Sequence, residues 1–228
     1  MSLLSDARAI AAKDPAAHST AVVILAYPGF HALVAHRLAH FLHRHGRVTL
    51  ARVVSNIGRR VSGVDIHPAA VIGQRVFIDH ATGVVIGETC TVGNDVTIYQ
   101  GVTLGGTSIE RGVKRHPDIG DGVVIGAGAK VLGPITVHEG ARIGANSVVI
   151  ADVPAGAVVV GVPGRAVREG AHRHDAAELR EDSPDLVAAA LSDVFHRLQH
   201  LESVTGIPRH SIDHRPEEQW VDDTDFSI

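Results

Sequence analysis

The stretches VVIGETCTVGNDVTIYQGVTL (84–104) and IGDGVVIGAGAKVLGPITVHEGARIGANSVV (119–149) decide the fold of this chain. An aliphatic residue returns at every sixth position: Ile86, Val92, Ile98 and Leu104, then Ile119, Ile125, Val131, Val137, Ile143 and Val149. The same beat precedes them at Ile66, Ile72 and Ile78. Six residues match neither the turn of an α-helix nor the plain alternation of a strand. They fit short strands separated by tight corners, each strand sending one anchor inward, with small residues such as Gly73, Gly87, Gly93, Gly120, Gly126 and Gly144 after the anchor to let the backbone turn. Three such strands make a coil of about 18 residues, and coils stacked about 4.8 Å apart close the hydrogen-bond ladder. The expectation is a hexapeptide-repeat parallel β-helix from about Asp65 to Gly161. Its narrow interior has room for Val and Ile but little for Trp, in keeping with an aromatic content of 4%.

Outside the repeat the pattern turns helical. Phe30, Leu33, Val34, Arg37, Leu38, Phe41 and Leu42 trace one helical face that opens after Tyr27-Pro28-Gly29 and stops at Gly46. Asp14-Pro15 reads as an N-cap followed by proline at the first helical position. Residues 1–64 are therefore expected to form a small helical domain, and 65–168 the coil. In 169–228, Ser183-Pro184 opens another helix with the stripe Val187, Leu191, Val194, Phe195, Leu198 and Leu201, ending near Gly206. The last segment, HRPEEQWVDDTDFSI, carries five acids and no base between Glu217 and Ile228, which predicts a flexible tail.

Composition narrows the function classes. With 21 basic against 25 acidic residues and a net charge of -4, the chain offers no basic face to nucleic acid or anionic lipid. Cys90 is the only cysteine, so neither an intrachain disulfide nor a CxxC metal pair can form. That suits a reducing compartment, and the cytoplasm is the expected location. No apolar run in the N-terminal segment reaches the length of a signal sequence or a membrane span.

Chemistry is expected where the period fails. Eight residues replace six between Ile78 and Ile86, pushing Asp79-His80-Ala81-Thr82-Gly83 outward. The segment from Gly105 to Pro117 is too long for a corner and should project as a loop. Asp65 stands 15 residues before His80, slightly less than one coil, which predicts a carboxylate and an imidazole on neighbouring coils near one edge. Such a pair fixes the tautomer of a histidine and favours proton uptake on its free nitrogen. Among 16 histidines, His80 stands out by position rather than by type.

The segments DIHPAA (65–70), DHATGVVIGE (79–88), VTLGGT (102–107), KRHP (114–117), IGAGAKVLG (125–133) and GVPGR (161–165) closely resemble the serine acetyltransferases over roughly 14–168. The resemblance implies a left-handed β-helix and transfer of acetyl from acetyl-CoA to the hydroxyl of L-serine, giving O-acetylserine for cysteine synthesis. It implies His80 as general base and Asp65 as its orienting partner. Asp79 and Asp14 match the family's substrate-binding aspartates, suited to the serine ammonium group, and Arg115 and His116 match the positions that receive its carboxylate. Gly106, Thr107, Ala127 and Ala145 match the groove that holds the pantetheine arm, with Arg142 and Arg165 as candidates for the CoA phosphates. No metal is expected. The resemblance also implies a trimer or a dimer of trimers, and a complex with O-acetylserine sulfhydrylase through C-terminal Ile228.

Two other functions share this scaffold. Acetyl transfer to homoserine, a sugar or an antibiotic hydroxyl is one, and Asp14 with Arg115 and His116 discriminates against the sugar, because a zwitterionic amino acid needs both of its charges met whereas a sugar does not. A γ-type carbonic anhydrase is the other. It would need three histidine nitrogens about 2.0–2.1 Å from zinc, and His67, His80, His116 and His138 include no closely spaced pair.

Overall fold

The computed structural model of the chain describes residues 3–168 and Arg197. The helix expected from Pro184, apart from that one residue, and the tail ending in Ile228 lie outside the described residues. Met1–Arg173 form one compact unit. Four helices come first: α1 (Leu3–Lys13), α2 (Thr20–Ala26), α3 (Pro28–Arg44) and α4 (Val48–Ser62).

Among the described residues fifteen short strands follow, stacked in three sheets that form the faces of a prism. Sheet I contains β1 (Asp65–Ile66), β4 (Val85–Ile86), β7 (Thr103–Gly105), β10 (Lys130–Leu132) and β13 (Val148–Val149). Sheet II contains β2 (Val71–Ile72), β5 (Thr91–Val92), β8 (Asp118–Ile119) and β11 (Thr136–Val137). Sheet III contains β3 (Phe77–Ile78), β6 (Thr97–Ile98), β9 (Val124–Ile125), β12 (Arg142–Ile143), β14 (Val158–Val160) and β15 (Arg165–Arg168). Every paired neighbour runs parallel except β15, which folds back antiparallel on β14 and closes that end of the stack. Residues 65–168 form a left-handed parallel β-helix that follows an N-terminal helical region.

All thirteen six-residue anchors lie in strands and are buried. The interior holds more than the period announced. The residue two before each anchor also points in, so Val84, Cys90, Val96, Val102, Val123, Ala129, Ile135 and Ala141 form a second buried row. The expectation of one inward side chain per strand is corrected: a strand of two residues flanked by corners brings positions i and i−2 to the same face. Each fully buried Val, Ile or Leu contributes roughly 1.5–3 kcal/mol, and Cys90 is in the core as a small apolar filler.

The helices cap the first coil, which has no coil before it to receive its hydrogen bonds. Ser55 donates to the carbonyl of Ile66, the His40 ring meets that of Pro68, and Arg37 donates to those of Ile72 and Gly73. Buried Asp6 accepts the N–H of Arg75 and lies 3.6 Å from Arg37. Unpaired strand-edge groups buried under a helix are costly, so these polar side chains take the place of the missing rung. Gly29 lets α3 approach: a Cβ there would stand 2.0 Å from the carbonyl oxygen of Ile78.

On α3 the buried residues are Gly29, Phe30, Ala32, Leu33, His36 and Ala39, while Leu38 and Phe41 of the expected apolar face are exposed. Small residues at Gly29, Ala32 and Ala39 bring the helix close to the coil, Phe30 and Leu33 fill the contact, and Leu38 and Phe41 fall outside it.

Candidate active site

The break after Ile78 folds into a corner in which His80 and Ala81 both adopt the left-handed conformation, at φ 54° each. That region disfavours residues with a Cβ, and its use at a histidine marks a place where the fold spends stability on geometry. The turn projects the His80 side chain into solvent, 74% exposed. Asp79 steadies it: one carboxylate oxygen accepts the His80 N–H at 2.9 Å, and the other lies 4.0 Å from Nε2.

Asp14 approaches the same corner from the helical region. It follows the end of α1, its N–H donating to Ile10, and its Oδ1 accepts the N–H of Ala16 at 2.8 Å. The expected N-cap role is therefore corrected. Asp14 and Pro15 lie in the turn between helices, and the side chain that caps α2 is Ser19, which accepts from Val22. The other Asp14 oxygen accepts from the Tyr27 hydroxyl at 2.6 Å. That bond, the Ala16 N–H and the nearby His80 hold the Asp14 carboxyl below the usual carboxylate range. Its bond to Asp14 pushes the Tyr27 phenol up to about 12, with a further push from Asp79. Asp14, Tyr27, Asp79 and His80 thus lie within electrostatic reach of one another.

Asp65 opens β1 at the corner that His80 precedes. Because the break adds two residues, the first coil is longer than a regular one, and Asp65 pairs with Val85, five residues beyond His80. Its carboxylate meets Arg59 of α4 at 3.2 Å. Among the described residues no hydrogen bond or ion pair joins Asp65 to His80.

Arg115 and His116 form a second cluster at the far end of β4, where the projecting loop returns to the coil. The His116 ring lies over Gly87, where a Cβ would stand 1.9 Å from its Cδ2, and beside Gly106. Its Nδ1 meets the N–H and hydroxyl of Thr89 at 3.2 and 2.9 Å, and the Thr89 hydroxyl accepts the N–H groups of both Arg115 and His116 at 3.1 Å. Arg115 pairs with Glu88 and donates to the carbonyl of Glu110 at 2.8 Å. Burial first, then Arg115, lowers the His116 pKa, so this imidazole stays neutral. From Val84 to Gly87 is three residues of extended chain, roughly 10 Å at 3.3 Å each. The two clusters therefore occupy opposite edges of sheet I.

The residues matched to the CoA groove divide the same way. Ala127 and Ala145 lie at corners leading into sheet I, with Ala145 N close to Gly126. Gly106 touches Arg115 and His116, and Thr107 lies against Gly133 at the corners leaving it. Arg142 points outward from sheet III, and Arg165 lies exposed on the closing strand. Among the described residues, no group of three or more His, Cys, Asp or Glu side chains converges to hold a metal ion.

Sequence reasoning missed Tyr27, Arg59, Glu88 and Thr89. Their partners lie from 6 to 27 residues away and follow from folding, so only Glu88, inside a matched segment, had a signal.

The bacterial transferase hexapeptide family (six repeats) matches residues 116–151. A serine acetyltransferase of Mycobacterium tuberculosis is 52% identical over 224 residues, covering 98% of this chain and 97% of the relative. One of Staphylococcus epidermidis is 48% identical over 197 residues, covering 86% and 89%. Among solved structures, Neisseria gonorrhoeae serine acetyltransferase in complex with serine superposes with a TM-score of 0.70 at 50% identity, over 73% of this chain and 67% of that one. The serine acetyltransferase of Brucella abortus in complex with coenzyme A gives 0.72 at 45%, over 75% and 68%. The chain thus spans about two thirds of the length of those two structures. Identity at this level across nearly the whole chain, on the same prism, decides the matter: the chain belongs to the serine acetyltransferase family of hexapeptide-repeat acyltransferases.

Proposed function

We propose that this enzyme transfers the acetyl group of acetyl-CoA to the hydroxyl of L-serine, giving O-acetyl-L-serine and CoA, with His80 as general base. One observation carries the assignment of the base: His80 is held out to solvent on a left-handed corner, beside Asp79 and within the field of Asp14. The exposed ring takes the proton from the serine hydroxyl as that oxygen attacks the thioester carbonyl. Collapse of the tetrahedral oxyanion breaks the carbon–sulfur bond, and the departing thiolate takes the proton from the imidazolium. An acyl-enzyme is not required. Cys90 is buried, with its thiol pushed up to about 12 by burial, so it offers no nucleophile.

Charge complementarity supports an amino-acid acceptor. Asp14 and Asp79 suit the ammonium group, and Arg115 beside His116 suits the carboxylate. Within one chain these subsites lie too far apart for a molecule as short as serine. The reading therefore includes a homo-oligomer, a trimer or a dimer of trimers, in which Arg115 and His116 of one copy face His80 of the next. Asp65 is the orienting partner of His80 in this reading, reached when its carboxylate exchanges Arg59 for the imidazole. The pantetheine arm lies against Gly106, Thr107, Ala127 and Ala145, with Arg142 or Arg165 toward the phosphates. Cysteine synthesis in the cytoplasm is the setting this proposal implies.

The test is release of CoA thiol from acetyl-CoA with L-serine, homoserine and simple sugars as acceptors. Turnover confined to L-serine supports the reading, and preference for a sugar refutes it. Mixing His80→Ala with Arg115→Ala chains and allowing subunits to exchange should restore part of the activity. No recovery in verified mixed oligomers refutes the shared site.

A further inference from the structure

We propose that Tyr27 is a positioning residue for the amino-acid subsite, its hydroxyl clamping the Asp14 carboxylate so that the free lone pairs face the corner at Asp79 and His80. The proposal rests on the reading that Asp14 receives the substrate ammonium group. Tyr27 is fixed at every level of structure. Its backbone lies between α2 and α3, the N–H donating to Val23 at 3.2 Å and the carbonyl accepting from His31 at 3.1 Å. Tyr27 is the N-cap of α3, and Pro28 takes the helix's first position, so the Tyr27 ring sits on a fixed backbone. That ring packs against the cluster of Ala7, Ile10, Val23, Phe30 and Phe77, which joins the helices to β3. A hydroxyl on so rigid a ring fixes whatever it bonds.

What it bonds is a short turn. The Asp14 carboxylate takes one donor on each oxygen, Tyr27 on Oδ2 at 2.6 Å and the Ala16 N–H on Oδ1 at 2.8 Å. A carboxylate has about four acceptor positions, so about two remain for a ligand, and their direction is set by the two protein donors. The titratable groups that face Asp14 are Tyr27 and His80, and Asp79 faces Tyr27. The high phenol pKa keeps Tyr27 a donor, and the depressed Asp14 pKa keeps the carboxylate ionised, as a cation subsite requires. An ordinary structural tie between α3 and the α1–α2 turn would use the same bond, so the test must separate affinity from folding.

Steady-state kinetics on the full chain separate them. Tyr27→Phe keeps the ring and removes only the hydroxyl. It should raise the KM for serine about tenfold, the effect of one charge-assisted hydrogen bond, with kcat within about threefold. The KM for acetyl-CoA and the melting temperature should be unchanged. An unchanged serine KM in Tyr27→Phe alongside a raised one in Asp14→Asn overturns the positioning role while sparing the subsite. An unchanged serine KM in Asp14→Asn overturns the subsite reading and this proposal with it. A Tyr27→Phe protein that melts early and weakens both substrates alike shows a structural tie only, and overturns it too.

Discussion

Two histidines stand on opposite edges of sheet I, and their surroundings differ in almost every respect. His80 is 74% exposed on a strained corner, touched by one carboxylate and reached by the field of a second. His116 is 8% exposed, its ring over a glycine, its Nδ1 against Thr89 and its charge suppressed by burial and Arg115. A group that must gain and lose a proton needs access and a solvated charged form. A group that must present a fixed donor to a substrate needs a single tautomer and no freedom to move. Burial therefore matches the proposed division of roles, with acid–base work for the open imidazole and ligand binding for the packed one.

The comparison can be broken at either end. Replacing the open histidine should have the larger effect, a fall in turnover of about 10²- to 10⁴-fold for His80→Ala, with circular dichroism and melting unaltered. Turnover within a few-fold of normal would remove His80 as the base. At the packed end, Gly87→Ala attacks His116 without touching it, since the new Cβ would claim the space of the ring. The ring must move, and we expect kcat/KM for serine to fall roughly 10- to 100-fold, the scale of a lost bond to a charged group, mostly through KM. Normal serine kinetics in that variant would mean the His116 pocket has no part in binding.

The two edges were also unequally legible in the sequence. The repeat is local, so all thirteen anchors could be counted before any coordinate was known, and the two failures of the period located both clusters. What stayed hidden was every relationship that depends on stacking. Val84 and Cys90 look like filler until a coil folds and sets them beside Ile86 and Val92. Asp65 was expected on the coil next to His80 near one edge, but its register over Val85 and its pairing with Arg59 follow only from the longer first coil. Tyr27 carries no motif at all; its pairing with Asp14 exists only because two helices are docked on the same coil. Period fixes the scaffold, whereas partners across rungs follow from register.

Buried imidazoles elsewhere sharpen the contrast. His36 on α3 is almost wholly buried, its Nδ1 has no partner, and burial lowers its pKa to about 3; burial likewise brings His67 to about 4. Both folded values lie below the unfolded value of about 6.5, so below that pH the unfolded chain takes up protons that the native state refuses. The stability is complete above pH 6.5 and is lost as pH falls toward the folded values. Between pH 7 and 5, His36 alone should cost about 2 kcal/mol, read from the shift in urea midpoint. His36→Gln should flatten this dependence; an equally steep loss in the variant would place its origin elsewhere.

The smallest effect concerns the carboxylate that the two edges share a face with. Arg59 and Asp65 form an ion pair with side chains 61% and 39% exposed, a setting in which such pairs contribute about 0–1 kcal/mol. Arg59→Gln should therefore change the urea midpoint very little. Its kinetic effect is more telling, because Asp65 cannot serve Arg59 and His80 at once. If the carboxylate turns to the imidazole during catalysis, removing its competitor leaves turnover equal to or above that of the unaltered protein. A tenfold fall would mean that the Arg59 pair is itself the working arrangement. His80 would then be oriented by Asp79 alone, the carboxylate that already holds its backbone N–H.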